Sequence, residues 1–315
     1  MISIAMTTYN GERFLREQLD SILAQTVTDW ELHVCDDCST DSTCAILEEY
    51  ANRDSRIHLH LNEHNLGFKK NFEKAISFCI GEYIALSDQD DVWLPFHLEK
   101  LLANLGDKSL SGGNAILIDS NGNEMNRMLN EADGFMFMPK DSLFLYRILL
   151  LSGPIQGASQ LIRKSFLQKC LPIPKEVKYH DAWFIACACL DGGIAYTFDS
   201  VSKYRQHGGN ITFAMHNPQK KSVIEVLKIR ARKFLKGVET DRFCYIEELS
   251  KRFGTSDKNF SDIKTFYEHV KNHAVKFSDI KLIWKNFENI TTQKGHRHFI
   301  RKFIAWTKLC PPKEN

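Results

Sequence analysis

The chain has 315 residues, 43% hydrophobic, 25% charged and 11% aromatic, with a formal net charge of +2. These are the proportions of an ordinary soluble globular protein, long enough for one large domain or two. The longest apolar runs, such as 183–190, are too short to span a bilayer. No leader-like segment is recognisable at the N-terminus, and nine scattered cysteines suit a reducing cytosol.

The first hundred residues alternate strand and helix signals. Residues 2–6 predict a strand, followed by the turn Tyr9-Asn10-Gly11 and an amphipathic helix carrying Phe14, Leu15, Leu19, Ile22 and Leu23. Residues 30–35 predict a second strand ending in Asp36-Asp37, and Ser39-Thr40-Asp41-Ser42 then caps a helix through Tyr50. A strand at 57–61, a helix at 69–79 and a strand at 83–86 follow. Such alternation predicts a mainly parallel sheet with helices on both faces, an α/β fold. Further on, 114–119 and 158–163 read as strands, 143–151 as a helix, 182–190 as a helix and 194–204 as a final strand. From about Pro218 the periodicity is helical.

Chemistry concentrates where strands end. Leu86-Ser87-Asp88-Gln89-Asp90-Asp91-Val92-Trp93 places three carboxylates within four positions, directly after a buried strand. Their mutual repulsion is relieved by a divalent cation, with hard oxygen ligands suited to Mg²⁺ or Mn²⁺. The bland alternative is an acidic turn before a helix starting near Pro95. Thr7-Thr8-Tyr9-Asn10-Gly11-Glu12 and Asp36-Asp37 end the first two strands, so both reach the sheet edge where open α/β folds bind ligands. A carboxylate there is able to accept the N3–H of a pyrimidine, and Tyr9 to line a base pocket. Cys35-Asp36-Asp37-Cys38 has the C-x-x-C spacing but no second pair, so its thiols are read as structural.

Taken in order, T-T-Y-N-G, C-D-D-C-S-T-D, N-L-G-F-K-K-N-F and L-S-D-Q-D-D-V-W resemble an inverting family-2 glycosyltransferase with the GT-A fold, over roughly residues 2–215. The D-Q-D-D-V-W form and the later Tyr204-Arg205-Gln206-His207-Gly208 are most similar to the bacterial rhamnosyltransferase-like branch. The resemblance implies a nucleotide-sugar site drawing on Thr8, Tyr9, Asn10, Glu12, Asp36, Asp37, Asn71 and Asp88, with Asn65 nearby. It implies a metal held by Asp88, Asp90 and His207. Asp181, at the head of the helix after Lys178-Tyr179-His180, is implied as general base. His180 is the alternative base, and an N-cap is the bland reading of Asp181. Trp183 reads either as a platform for a sugar face or as core. Gly157-Ala158-Ser159 permits close backbone approach to a ligand.

Charge divides the chain. Residues 1–218 hold 19 Lys and Arg against 28 Asp and Glu, whereas residues 219–315 hold 22 against 11. Residues 219–237 and 294–308 interleave basic and apolar positions, as interfacial helices on an anionic membrane do; packing on the catalytic domain is the rival reading. No nucleic-acid motif accompanies the basic residues. The expectation is a catalytic domain over 1–217 and a basic helical region over 218–315, forming a cytoplasmic enzyme at the inner face of a bacterial membrane. It would move a sugar, rhamnose in the first instance, from a dTDP-sugar or UDP-sugar to a lipid-linked saccharide acceptor. The rival expectations are a UDP-hexose (galactosyl or glucosyl) transferase and a non-catalytic nucleotide-sugar-binding scaffold. A sugar-nucleotide pyrophosphorylase is set aside because its Gly-rich, Arg-containing N-terminal loop is absent.

Overall fold

The computed structural model describes residues 1–133, 155–208, 241–254, 256–272, 276, 278–279 and 281–282. Four strands, β1 (Ile2–Thr8), β2 (Trp30–Asp36), β3 (Ile57–Leu61) and β4 (Tyr83–Ser87), run parallel. All residues of β1 and β2 are buried, as expected of strands covered on both faces. The helices between them are α1 (Leu15–Leu23), α2 (Thr43–Arg53) and α3 (Phe68–Phe78). These agree with the sequence expectation to within a few residues at each end.

The second half of the sheet is mixed. Strand β8 (Gln160–Arg163) pairs antiparallel to both β4 and β6 (Leu110–Ile118), and β9 (Ile194–Arg205) runs parallel to β6. Two short strands, β5 (Val92–Trp93) and β7 (Glu124–Met128), pair antiparallel with β9 and β6. The order is β3-β2-β1-β4-β8-β6-β9-β5, with β7 beside β6 and a short helix α5 (Leu129–Asp133) directly after β7. Neither short strand is predicted from sequence, because two residues hold no period and all five residues of β7 are exposed. The helix expected at 143–151 lies outside the described residues.

Strand alternation sorts the core into two layers. Ile4, Met6, Leu32, Val34 and Ala85 face α1, α2 and α4 (His97–Leu105). Ala5, Cys35, Ile84 and Leu86 face α3, α6 (Lys164–Cys170) and α7 (His180–Ala188). Two further helices, α8 (Asp241–Phe253) and α9 (Lys258–Lys271), extend this second layer through Tyr245, Ile246, Leu249, Phe260, Ile263, Phe266 and Tyr267. Each such side chain stabilises by about 1.5–3 kcal/mol when fully buried. Arg252 Nη1 donates to Cys170 O at 2.6 Å, and Tyr245 Oη to Tyr179 O at 3.3 Å. This stretch of the C-terminal region therefore packs on the sheet domain. The basic stretches 219–237 and 294–308 lie outside the described residues.

Register aligns the chemistry. Thr8 pairs with Asp36, Asp36 with Leu61, and Met6 with Ser87, so four consecutive parallel strands end in line. Because β8 is antiparallel, its first residues, after the 3-10 turn Gly157–Ser159, come to the same edge. Arg205 ends β9 beside Ile118, delivering Gln206 and His207 there as well.

Candidate active site at the strand ends

The site has two sides that treat their carboxylates differently. On the β1–β2 side every acidic group is met by donors. Asp36, 1% exposed, accepts from Thr8 Oγ1 at 2.7 Å, Ser39 N at 2.8 Å and Ser39 Oγ at 2.6 Å. Asp37 accepts from Asn62 Nδ2 at 2.7 Å, Leu66 N at 2.7 Å and Gly67 N at 2.9 Å. Gly67, at φ +77°, adopts a backbone that favours glycine and so turns its amide to Asp37 before α3 begins. Asn71 is buried; its amide donates to Cys35 O at 2.8 Å and its Oδ1 accepts from Asn62 at 2.8 Å. Asn65 Nδ2 donates to Asp37 O at 2.9 Å.

The β1–α1 turn is bound to the β2–α2 loop in the same way. Asn10 N donates to Ser39 Oγ and Asn10 Oδ1 accepts from Thr40 N, each at 2.8 Å; Glu12 accepts from Ser42 N at 2.8 Å. Tyr9 is half exposed, its backbone gripped by Gln89, which accepts from Tyr9 N at 2.8 Å and donates to Tyr9 O at 3.0 Å. A Cβ on Gly11 would sit 2.3 Å from Gln89 Oε1, so this close approach requires glycine. Cys35 is core, its thiol pushed up to about 11 by burial, and Cys38 donates to Asn62 O at 3.2 Å. Burial and a backbone hydrogen bond thus account for both thiols of the C-x-x-C spacing.

On the β4–β9 side, burial and like charge dominate. Asp88 is pushed up to about 7, first by burial and then by the charges of Asp90 and Asp181. Asp91 is raised well above the carboxylate range by burial, Asp90 and Asp88, and Arg205 N is its backbone donor at 3.2 Å. Asp90 Oδ2 lies 2.7 Å from His207 Nε2. Arg205, 1% exposed, fixes this loop: Nε donates to Asp90 O at 2.8 Å and Nη2 to Glu17. Asp181 stands in the first turn of α7, where Tyr179 and not Asp181 is the N-cap. Its Oδ1 accepts from Ala182 N at 2.7 Å, and the backbone of Gly157 is a second donor. Burial still pushes it up to about 6.

Crowded carboxylates joined by an imidazole form a donor set for a hard divalent cation. The charge crowding around Asp88, Asp90 and Asp91 is what such an ion relieves, so their chemistry suits one, although Asp88, Asp90 and His207 do not bring three ligand atoms within 4.8 Å of one another.

The two open alternatives at 180–183 separate clearly. His180 is stacked on Phe72 at 4.1 Å, has no hydrogen-bond partner at either ring nitrogen among the described residues, and is held down to about 3 by burial. A group so hard to protonate is a poor base near neutrality, whereas the Asp181 carboxyl is raised toward that range. Trp183 is fully buried, with Nε1 donating to Cys170 O at 2.9 Å. It is core and not a sugar platform.

Sequence reasoning assigned no role to Gln89, Arg205, Asn62 or Lys69, and counted Asp91 only as one of three crowded acids. Lys69 Nζ donates to the carbonyls of Pro174, Lys175 and Val177 at 3.1, 2.7 and 2.7 Å, fastening to α3 the loop that leads to Asp181. The signals for Gln89, Asp91 and Arg205 were their places inside D-Q-D-D and Y-R-Q-H. For Lys69 and Asn62 there was none, because their partners are distant in sequence.

Comparison with known proteins shows the family of the chain. The profile of "Glycosyl transferase family 2" matches residues 3–171. An uncharacterized glycosyltransferase of Methanocaldococcus jannaschii is 31% identical over 210 residues, 65% of this chain and 69% of that protein. The Escherichia coli enzyme WfgD, named as a UDP-Glc:alpha-D-GlcNAc-diphosphoundecaprenol beta-1,3-glucosyltransferase, is 36% identical over 123 residues, 38% of this chain and 48% of WfgD. Bacillus subtilis EpsE is 43% identical over 105 residues, 33% of this chain, and that match spans only 38% of EpsE. Among solved structures, S. aureus TarS in complex with UDP-GlcNAc shares the fold, with a TM-score of 0.55, 20% identity, and coverage of 97% of this chain and 89% of that one. With more than half of its length matched by the family profile, the chain belongs to glycosyl transferase family 2.

Proposed function

We propose that the protein is an inverting glycosyltransferase of polysaccharide synthesis that uses a nucleoside-diphosphate sugar and a lipid-linked saccharide acceptor. The observation that carries this reading is the convergence of Asp181 with Asp88 and Asp90, close enough for the charge of Asp181 to raise Asp88. The nucleoside lies along Thr8 to Glu12 and the Asp36–Asp37 strand end, with Tyr9 available to the base. Asp88, Asp90 and His207 would hold a Mg²⁺ or Mn²⁺ ion, which when bound supplies positive charge to the leaving diphosphate.

Asp181 accepts the proton of an acceptor hydroxyl as its oxygen bonds to the anomeric carbon. The bond from that carbon to the diphosphate oxygen breaks on the opposite side. A carboxyl raised to about 6 is matched to that task. No second carboxylate enters, so configuration inverts. Arg205 keeps the Asp90 loop in place from beneath.

A groove of about 330 Å³ beside this edge is lined by Leu66–Lys70 and Lys175–Lys178, among which Lys69 is committed to backbone carbonyls and Lys70 to Glu73, leaving Lys175 and Lys178 as its cations for an anionic ligand. It supports an acceptor bearing a diphosphate, as does the name of WfgD. The basic composition of 219–315 supports contact with an anionic membrane surface, and among the described residues no helix is long and apolar enough to cross a membrane. Likeness of the D-Q-D-D-V-W and Y-R-Q-H-G motifs supports rhamnose from a dTDP donor. The UDP-sugar names of WfgD and the TarS complex favour a second reading, a UDP-hexose donor.

Thermal melts with dTDP, UDP, GDP and their sugars, with and without Mn²⁺, test the proposal. Manganese-dependent stabilisation by one nucleotide family is expected and names the base. Absence of a shift with every nucleotide would overturn the assignment.

A further inference from the structure

Away from the catalytic edge, on the α3 face of the sheet, Glu31, His33 and His58 form a second cluster of ligating side chains. Their carboxylate oxygen and ring nitrogens lie within 4.8 Å of one another. Strand pairing creates the cluster: His33 and His58 are direct neighbours in the β2–β3 register, with rings stacked at 4.9 Å and 23°. Glu31, two residues before His33, shares its face. His33 lies three residues before Asp36, about 10 Å along the strand at 3.3 Å per residue.

The groups around His33 orient it as a ligand. Its Nδ1 is 3.1 Å from His60 Nε2, and the His60 ring stacks on Phe78 at 3.7 Å and 1°. That contact occupies Nδ1 and leaves Nε2 facing Glu31 Oε1 at 3.4 Å, without the alignment of a hydrogen bond. His33 is 8% exposed, so its Nε2 is a buried nitrogen with no hydrogen-bond partner among the described residues, aimed at Glu31 in the cluster. Such an atom carries a desolvation cost that a ligand removes. Glu31 is oriented too: Oε1 accepts from Ile80 N at 2.9 Å and from Ser3 Oγ, and a carboxylate retains further lone pairs for a ligand. A ligand held by an outer hydrogen bond, as His33 is by His60, is the arrangement metal sites use to fix a ring and its tautomer.

We propose that Glu31, His33 and His58 bind one divalent transition-metal ion that clips the edge strand β3 to β2. Two imidazoles and one carboxylate suit Zn²⁺, Ni²⁺ or Cu²⁺ better than the oxygen-rich catalytic edge does, so the two sites take different ions. Tetrahedral bonds of about 2.0–2.1 Å put ligand atoms roughly 3.3 Å apart. The exposed His58 closes the remaining gap by a side-chain rotation, and water completes the shell. The clip steadies the two strands whose far ends present Asp36, Asp37 and Asn62.

The test uses the full chain without a histidine tag, stripped with EDTA and titrated with Co²⁺ as a visible-light reporter, then with Zn²⁺. One saturable equivalent with tetrahedral-type absorption is expected, displaced by Zn²⁺ and retained in Asp90→Asn. His58→Gln, at an exposed position, keeps the metal-free melting temperature and loses at least about tenfold in affinity. Equal binding by His58→Gln, loss of the signal in Asp90→Asn, or no saturable uptake each overturns the proposal. None of these outcomes bears on nucleotide binding, so the two proposals fail separately.

Discussion

The two sides of the strand-end edge hold carboxylates of the same kind in opposite states. Asp37 has three donors within 2.9 Å, and Asp36 has Thr8 and Ser39. Across the edge, Asp88, Asp91 and Asp181 are all raised by burial, and Asp88 and Asp91 by their neighbours' charges as well. The first side is a scaffold that sets loop shape; the second stores electrostatic tension. Groups that fold against their own electrostatics are candidates for chemistry, because stability alone would have replaced them. The comparison thus separates the acids proposed for proton and metal chemistry, on the β4–β9 side, from those on the β1–β2 side whose donors fix the loops proposed to hold the nucleoside.

The strongest attempt to break this division is Asp181→Asn. The amide preserves size and is unable to accept a proton, so turnover with the identified donor and acceptor is expected to fall by about 10²- to 10⁴-fold. Nucleotide-induced stabilisation should persist. Turnover within threefold of wild type would move the base elsewhere. The next test sets one side against the other in stability. Asp37→Asn turns an amide donor toward Leu66 N, Gly67 N or Asn62 Nδ2, and should cost about 1–3 kcal/mol. Asp88→Asn removes a charge that burial and two neighbours oppose, and in EDTA should raise stability by about 1–2 kcal/mol, roughly 2–4 °C. Mn²⁺ should then stabilise wild type and not Asp88→Asn. Melting curves that move both variants in the same direction would remove the distinction between the sides.

Much of this edge was legible in the chain. Near-continuous apolar runs marked β1, β2 and β4, and the abrupt acids after them marked where the strands end. Asp181 drew notice by its place at the head of an apolar helix, within a resemblance, and the structure buries it there. The division of labour among the acids was not legible. The donors that satisfy Asp37 sit 25 to 30 positions away at Asn62, Leu66 and Gly67, and a local motif holds no record of them. Trp183 shows the same limit: a tryptophan beside a base suggests a sugar platform until α8 is seen to cover it. The Glu31–His33–His58 cluster depends on register, which no spacing along the chain reveals. Two-residue β5 carries no periodicity, yet it brings the loop after Asp91 alongside β9 and hence Arg205 under Asp90.

The smallest expected effect tests whether burial against charge is confined to the catalytic side. His97 is fully buried at the start of α4, stacked on Trp93 at 4.0 Å, with Nδ1 3.0 Å from Val201 O and Nε2 without a hydrogen-bond partner among the described residues. Burial holds its imidazole down to about 3, against an ordinary value of 6.5. Folded His97 therefore stays neutral where the unfolded chain takes up a proton. Protons bound only by the unfolded state make stability fall with pH, here from about 6.5 downward until the folded value near 3 is reached. For one such group the loss between pH 7.5 and pH 6 is about 0.8 kcal/mol. His97→Asn retains an N–H for Val201 O and has no titrating ring. It should be less stable than wild type at pH 7.5, where the Trp93 stack is lost, yet less sensitive to acid by that amount. Urea unfolding at the two pH values measures the difference, and His180, held down to about 3 in the same way, adds equally to both proteins and cancels. If the variant and wild type lose stability in parallel, the folded protein admits a proton at His97. The charge-averse interior would then belong to the catalytic carboxylates and not to the fold at large.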